Sequence, residues 1–418
     1  MSRESPRAGV DYPGSYAALR AWFPTDAACL DYLDWLRWPE GFWCPLCRGT
    51  QAWRLPDGRW SCGRCGRRVS ATAGTIFHGT RTPLTVWFAA AWLMTSQKQG
   101  ISALGLKRTL GIGSEQTAWA MLHRYRTAMV RRGRERLRGT VEVDETFLGG
   151  PEPGVCGRGA LGKVMVEVAV EREGRALGRC RLQVIPDVAG PTLREFMLAH
   201  VKPGSVVITD GLASYRPACE GYEHQPEPIG PSGQQAHELL PAVHRVASLV
   251  QRWLLGTHQG GVKPAHIQAY LDEFTFRFNR RRSRARGMLF YRLLEQAVQG
   301  EPRTYRSLVA EPGSGRRDRP PPPPDKRVRP SSLDGDPVDR PWRKPLNRTP
   351  RPYCTEMEDP FLCKRLMLSV TVTPRVSMCD GQFAVSGRRS PKWILNASSA
   401  VVQFRHLVHW GVALRTAR

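Results

Sequence analysis

Four cysteines and two aspartates are the residues of this chain whose types and spacing could do chemistry. Cys44-Pro45-Leu46-Cys47 and Cys62-Gly63-Arg64-Cys65 form two CxxC knuckles separated by fourteen residues. Four thiolates at that separation close a tetrahedral Zn2+ shell, and a shell with no open position is structural rather than catalytic. The aspartates sit in strand-like surroundings. In Val141-Glu142-Val143-Asp144-Glu145 the apolar and acidic residues alternate with the period of a half-buried strand, and Gly149-Gly150 ends the run. Val206-Val207-Ile208-Thr209-Asp210-Gly211 is a second apolar strand with an aspartate at its end. An acid beside a sheet costs several kcal/mol, on the order of the penalty for a buried ion, unless a cation or base accompanies it. Two such carboxylates on strands can converge on a hard divalent ion such as Mg2+, which takes oxygen ligands and keeps several waters.

The elements that must position these groups follow from the pattern around them. Tyr16, Leu19, Trp22 and Phe23, then Cys29, Leu30, Leu33 and Leu36, have helical spacing and predict a helical lead-in. Asp26 lies near a helix start, and Cys29, with no CxxC partner, reads as a buried thiol. Between the knuckles, Trp53 to Trp60 reads as a hairpin turning at Asp57-Gly58. Leu84 to Met94 predicts a strongly apolar helix, Ile101 to Leu110 a short one ending at Gly111, and Ser114 an N-cap for Glu115 to Val130. Short helix, glycine turn and longer helix fit a helix-turn-helix that would put its second helix in a DNA major groove, and fit an ordinary helical bundle equally well. Strands are expected at Lys163–Glu171 and Gly178–Ile185, and helices at Thr192–His200, Val243–Gly256 and His266–Arg282. The Tyr270, Phe274 and Phe278 stripe on the last of these reads as core. A strand with an acid, two strands, a helix, a second strand with an acid and then helices is the beginning of an RNase H-like α/β fold.

Composition bounds the partners. The 418 residues carry 62 lysines and arginines against 37 acids, a formal net charge of +25. That excess favours a polyanion, because each phosphate neutralised releases counterions. No apolar run approaches the ~20 residues of a membrane span, and the N-terminus has no apolar signal region. The expected location is the reducing cytoplasm, with the cysteines as thiols or metal ligands. From Arg316 onward, through Pro320 to Pro324, proline and arginine dominate to Pro352, a composition that buries too little apolar surface to fold.

Taken together, these residues resemble the zinc-ribbon DDE transposases of bacterial insertion sequences, the ISXO-like group. The resemblance rests on the Cys44/Cys47 and Cys62/Cys65 ribbon, on Val143-Asp144-Glu145-Thr146-Phe147-Leu148-Gly149-Gly150, and on Thr209-Asp210-Gly211. Downstream it rests on Arg252-Trp253-Leu254-Leu255-Gly256-Thr257-His258-Gln259-Gly260 and on Tyr270 to Arg281, covering residues 15 to 300 in all. It implies a DNA transposase with an RNase H-like core that holds Mg2+ or Mn2+ on Asp144 and Asp210, and with structural zinc in the ribbon. It also implies double-stranded DNA as partner, the element's terminal inverted repeats and the target. The enzyme would assemble as a homo-oligomer on DNA, associated with the nucleoid. The family's third acidic position, on a helix seven residues before a lysine, falls on His244, with Gln251 in place of the lysine. Either an imidazole completes the catalytic set Asp144, Asp210 and His244, or the protein is an impaired remnant that only binds DNA. Glu238 and Glu273 are the nearby carboxylates that could serve instead. A zinc-ribbon transcription regulator would leave Asp144 and Asp210 unexplained. The expected domains are a lead-in and ribbon (15–80), a helical DNA-binding module (81–138), the catalytic core (139–300) and a disordered extension (301–418).

Overall fold

Apolar spacing at the N-terminus builds α1 (Tyr16–Trp22) and α2 (Asp26–Arg37), whose first turns are closed by Ser15 and Thr25 accepting backbone N–H groups. The computed structural model describes residues 5–131, 133–149, 163–174, 176–228, 236–259 and 261–310, with three short strands between 376 and 395. The ribbon is a three-stranded antiparallel sheet of β1 (Ala52–Arg54), β2 (Trp60–Cys62) and β3 (Arg68–Val69), and Arg54 pairs with Trp60 across the expected hairpin. Next, α3 (Leu84–Ser96) is apolar on all sides and is accordingly enclosed on all sides. α4 (Ala103–Leu110) and α5 (Glu115–Ala128) start at the serine caps Ser102 and Ser114. The core of this N-terminal body is aromatic, with Phe23, Phe77, Trp87, Phe88 and Tyr125 in edge-to-face contacts. Cys29 is buried in it, as its isolation from the knuckles suggested.

The second body is a mixed sheet. β4 (Thr140–Leu148), β5 (Val164–Glu173) and β6 (Ala176–Val184) form an antiparallel meander. After α6 (Gly190–His200), β7 (Val206–Thr209) runs parallel to β4; after α7 (Tyr215–Ala218), β8 (Glu223–Pro226) runs parallel to β7. The order is β6-β5-β4-β7-β8, which leaves the two aspartate strands side by side in the centre. Both faces are covered. Val141 and Val143 pack with Leu193, Phe196 and Tyr215 on one side. On the other, Val166, Val168 and Val170 pack with Val246, Val250, Leu271 and Phe274. The latter belong to α9 (Pro241–His258) and α10 (Ile267–Phe278), which follow the short α8 (Ala236–Leu239). The Tyr270, Phe274 and Phe278 stripe is core, as its spacing indicated.

Two features differ from the sequence expectation. α11 (Arg286–Ala297), assigned by sequence to the catalytic core, packs its Leu289, Phe290, Leu293 and Leu294 into the N-terminal body. Its amphipathic pattern shows that one face is buried but not against what. Residues 301–310, expected in a disordered extension, carry α12 (Tyr305–Val309), whose Tyr305 ring meets Trp119 of α5 at 6.0 Å. Arg124 donates to the Arg303 carbonyl beside it. Most of the remaining extension lies outside the described residues. Within it, β9 (Val376–Cys379), β10 (Gln382–Val385) and β11 (Ile394–Leu395) form a small antiparallel sheet, part of a separate unit spanning residues 345–418.

Candidate functional site

The ribbon cysteines meet through two knuckles of the same backbone design. Arg48 N–H donates to the Cys44 carbonyl and Gly66 N–H to the Cys62 carbonyl, both at 2.9 Å. The residue after each second cysteine is left-handed, Arg48 at φ 61° and Gly66 at φ 68°. This folding brings Cys44 Sγ to 3.7 Å from Cys65 Sγ and Cys47 Sγ to 3.5 Å from Cys62 Sγ. A tetrahedron of sulfurs at the Zn–S bond length has edges of ~3.8 Å, so the four thiols fit zinc. Burial raises the Cys44 thiol, but the Cys47 and Leu46 backbone N–H groups and the Cys65 and Cys47 thiols outweigh it and lower it to about 7. The Arg67 backbone N–H lowers the Cys65 thiol, but burial and the neighbouring thiols outweigh it and raise it to about 12, so the set holds protons that a metal would displace.

The carboxylates are assembled from distant parts of the chain. Thr140, Val141 and Glu142 pair in register with Val206, Val207 and Ile208, so Asp144 and Asp210, each two residues further on, come out level. Asp210 sits on a tight turn. Its Oδ1 accepts the Leu212 N–H at 3.0 Å, and Gly211 takes φ +82°, a conformation that disfavours any side chain. Carboxylate oxygens of Asp144, Glu145 and Asp210 all lie within 4.8 Å of one another. Opposed oxygens around Mg2+ stand ~4.2 Å apart, so this donor set fits a hard divalent ion. His244, in the first turn of α9, places Nε2 3.6 Å from Asp144 Oδ2, and its ring is about one-third exposed. Asp144 thus stands beside both Asp210 and His244.

Two further residues shape the site, and sequence reasoning missed their roles. Glu142, fully buried, accepts the N–H groups of Ala242 and Val243 at 2.7 and 3.1 Å, with Arg172 3.3 Å from its other oxygen. It caps α9 from the neighbouring strand and so ties the turn bearing His244 to β4. Burial outweighs these N–H contacts and leaves the Glu142 carboxyl raised. The available signal was Leu240-Pro241: a helix starting at proline with no side-chain cap needs an acceptor from elsewhere. Glu167, the cross-strand partner of Glu145, is also buried and accepts the Tyr215 hydroxyl at 2.8 Å. Burial, opposed by that hydrogen bond and reinforced by Glu145, Asp144 and Asp210, raises its carboxyl to about 8.

Of the alternative carboxylates, Glu273 is engaged by arginines. Glu273 is fully buried against Arg126 of α5, Nε to Oε2 at 2.9 Å, with Arg277 at 3.5 Å. The Arg126 guanidinium also covers the Tyr270 ring at 3.9 Å. Glu273 is thus a partner of arginines joining the two bodies and lies outside the acidic cluster. Glu238 is exposed on α8, and Gln251 is exposed on α9. Burial also limits the expected groove contact of α5. Met121, Leu122, Tyr125 and Arg126 are enclosed, which leaves the first turn, Glu115 to Thr117, as its open stretch.

A cysteine ribbon ahead of an α/β sheet with aspartates on adjacent strands defines a chain with two metal-competent centres, the first locally built and the second spanning the sheet. Comparison with known proteins then shows what these segments are similar to. Residues 24–68 match the transposase zinc-ribbon domain, and residues 136–279 match the ISXO2-like transposase domain. It is 26% identical over 281 residues to an uncharacterized protein in transposable element ISH50 of Halobacterium salinarum, covering 61% of this chain and 91% of that relative. Among the described residues no helix is long and apolar enough to cross a membrane.

Proposed function

We propose that this protein is a DNA transposase that binds the terminal inverted repeats of its element and carries out metal-dependent cleavage and strand transfer. The observation that carries the reading is the levelling of Asp144 and Asp210 on adjacent parallel strands inside the segment that matches a transposase domain. Three antiparallel strands followed by two parallel ones, with helices on both faces, support an RNase H-like core. Mg2+ or Mn2+ bound there would activate the attacking hydroxyl and stabilise the leaving oxygen of an in-line displacement at phosphorus. Asp144 and Asp210 are the ligands in this reading. His244 stands beside Asp144, where its imidazole orients that carboxylate or donates to a phosphate oxygen. Glu142 holds the His244 turn in place.

Double-stranded DNA is the partner, met by a homo-oligomer in the cytoplasm at the nucleoid. Phosphate contact has a candidate in the cavity of ≈ 280 Å3 whose lining includes Arg131, Arg134, Arg179, Arg181 and Arg280. A second reading, a remnant that only binds DNA, draws on the imidazole and amide at 244 and 251. Cleavage and strand-transfer assays on cloned element ends, with Mg2+ and Mn2+ compared, separate the two. Asp144→Ala and Asp210→Ala should each abolish cleavage, a fall on the order of 10^3-fold or more, while end-binding persists. A wild-type protein that binds ends and never cuts them would leave the second reading.

A further inference from the structure

Past its pairing with β7, the edge of β4 has no further strand partner among the described residues. The parallel ladder stops at Glu142–Ile208 and β7 ends at Thr209, whereas β4 continues to Leu148. Successive strand residues point to opposite faces, so Asp144 shares the α9 side with Glu142, and Glu145 shares the other side with Glu167. At an edge with no neighbouring strand, side chains from both faces can meet, and the turn after β7 delivers Asp210 to that place. The oxygens of Asp144, Glu145 and Asp210 form the mutually close set; His244 Nε2 approaches Asp144 but is not part of it. Behind Glu145, Glu167 is fully buried, one oxygen held by Tyr215 and the other without a hydrogen-bond partner among the described residues. Three clustered carboxylates repel one another, and a cation among them offsets that repulsion.

We infer that Glu145 is a direct ligand of the divalent ion, supplying from β4 the third carboxylate that α9 lacks, with His244 outside the coordination shell. This rests on the metal-dependent transposase reading of the same site. The donor geometry favours it over imidazole ligation, because a hard ion prefers a third carboxylate oxygen to a softer nitrogen.

The test titrates full-length, zinc-loaded protein with Mn2+ and follows the bound ion by electron paramagnetic resonance, with no DNA present. Glu145→Gln should weaken Mn2+ by about tenfold or more, as Asp210→Asn does, whereas His244→Ala should change it by less than about threefold. Glu145→Asp, a shorter carboxylate, should fall between wild type and the glutamine variant. Zinc content and the unfolding midpoint establish that each variant is folded; if the glutamine variant is not, the aspartate variant decides. Loss of Mn2+ in Asp144→Asn and Asp210→Asn with wild-type affinity in Glu145→Gln would overturn the inference and leave the transposase reading standing. Wild-type protein with no saturable Mn2+ site would overturn both. His244→Ala losing Mn2+ while Glu145→Gln retains it would make the imidazole the third ligand.

Discussion

The ribbon and the carboxylate cluster each gather electron-rich groups into a small space, by opposite routes. In the ribbon, each pair of donors is set by its own knuckle, and one hairpin brings the two knuckles together. Ring closure is local, so the donors remain adjacent whatever the rest of the chain does. In the sheet, Asp144, Asp210 and His244 come from a strand, a turn and a helix far apart in sequence, and meet only when the β4–β7 register is correct. The first centre therefore supports its surroundings, while the second depends on them. Clustered carboxylates without a cation repel one another, so the second centre is a strain on the fold rather than a brace.

The largest expected effect tests the supporting half of this contrast. Cys62→Ser opens a closed zinc shell, and structural zinc contributes on the order of 10 kcal/mol to small ribbons. Purified protein should carry about one zinc per chain in the wild type and lose it in the variant, together with binding to element ends. Full zinc and full end-binding in Cys62→Ser would remove the contrast altogether.

A smaller effect is expected at Glu142, where the sheet holds the helix. Glu142→Ala leaves the Ala242 and Val243 N–H groups buried without an acceptor, at a cost of about 1–3 kcal/mol by denaturant unfolding. Cleavage should fall further than stability explains, because the His244 turn loses its tether. Glu142→Gln, which keeps an acceptor oxygen, should recover much of both. Equal loss of stability and activity in the two variants would mean that charge, rather than the hydrogen bonds, fixes α9.

Glu167 probes the repulsion directly. Its carboxyl loses a proton near 4.5 when unfolded but keeps it to about 8 in the fold. The folded state thus holds the extra proton between those values. The protonated group's contribution is complete below the lower value and is lost as pH rises through the upper one, with a slope approaching ~1.4 kcal/mol per pH unit. Relative to Glu167→Gln, wild-type stability should fall from pH 5 to pH 8 in zinc-loaded protein without Mg2+. Adding Mg2+ should flatten that slope, and an unchanged slope would count against a cation at the cluster. The smallest effect returns to the ribbon: Gly66→Ala forces a side chain into φ 68° with open space around it, costing about 1 kcal/mol of backbone strain without loss of zinc.

The same contrast explains what was legible in the chain. Cys44, Cys47, Cys62 and Cys65 could be read from spacing because their geometry is local. Asp144 and Asp210 could be read because an acid interrupts an apolar strand at each place. Glu142 was visible only as the polar half of an alternation, which normally faces water; here that face meets a helix N-terminus. Glu167 needed the β4–β5 register to be placed beside Glu145. β8, Glu-His-Gln-Pro, has no strand pattern at all and is held by backbone pairing at the edge of the sheet. Tyr270, Phe274 and Phe278 announced a buried helix face correctly, whereas the helix α11, packed on α3, was not read from the sequence.

The buried pair of Arg126 and Glu273 bears on how such a protein can be taken apart. Residues 81–138 read as a helical module of their own, yet their last helix, α5, keeps a fully buried cation against a carboxylate contributed by α10. Gln97, Lys98 and Gln99 are likewise gripped through their carbonyls by Arg277, Trp253 and Thr257. A chimera joined at residue 138 would leave Arg126 a buried charge without its carboxylate, at about 3–5 kcal/mol, and Glu273 with Arg277 as its remaining arginine. Grafting the head onto another catalytic core therefore requires carrying α10 with it. Any crossover that preserves this pair must keep both of its members, so what looks in sequence like a row of exchangeable parts holds together as one piece.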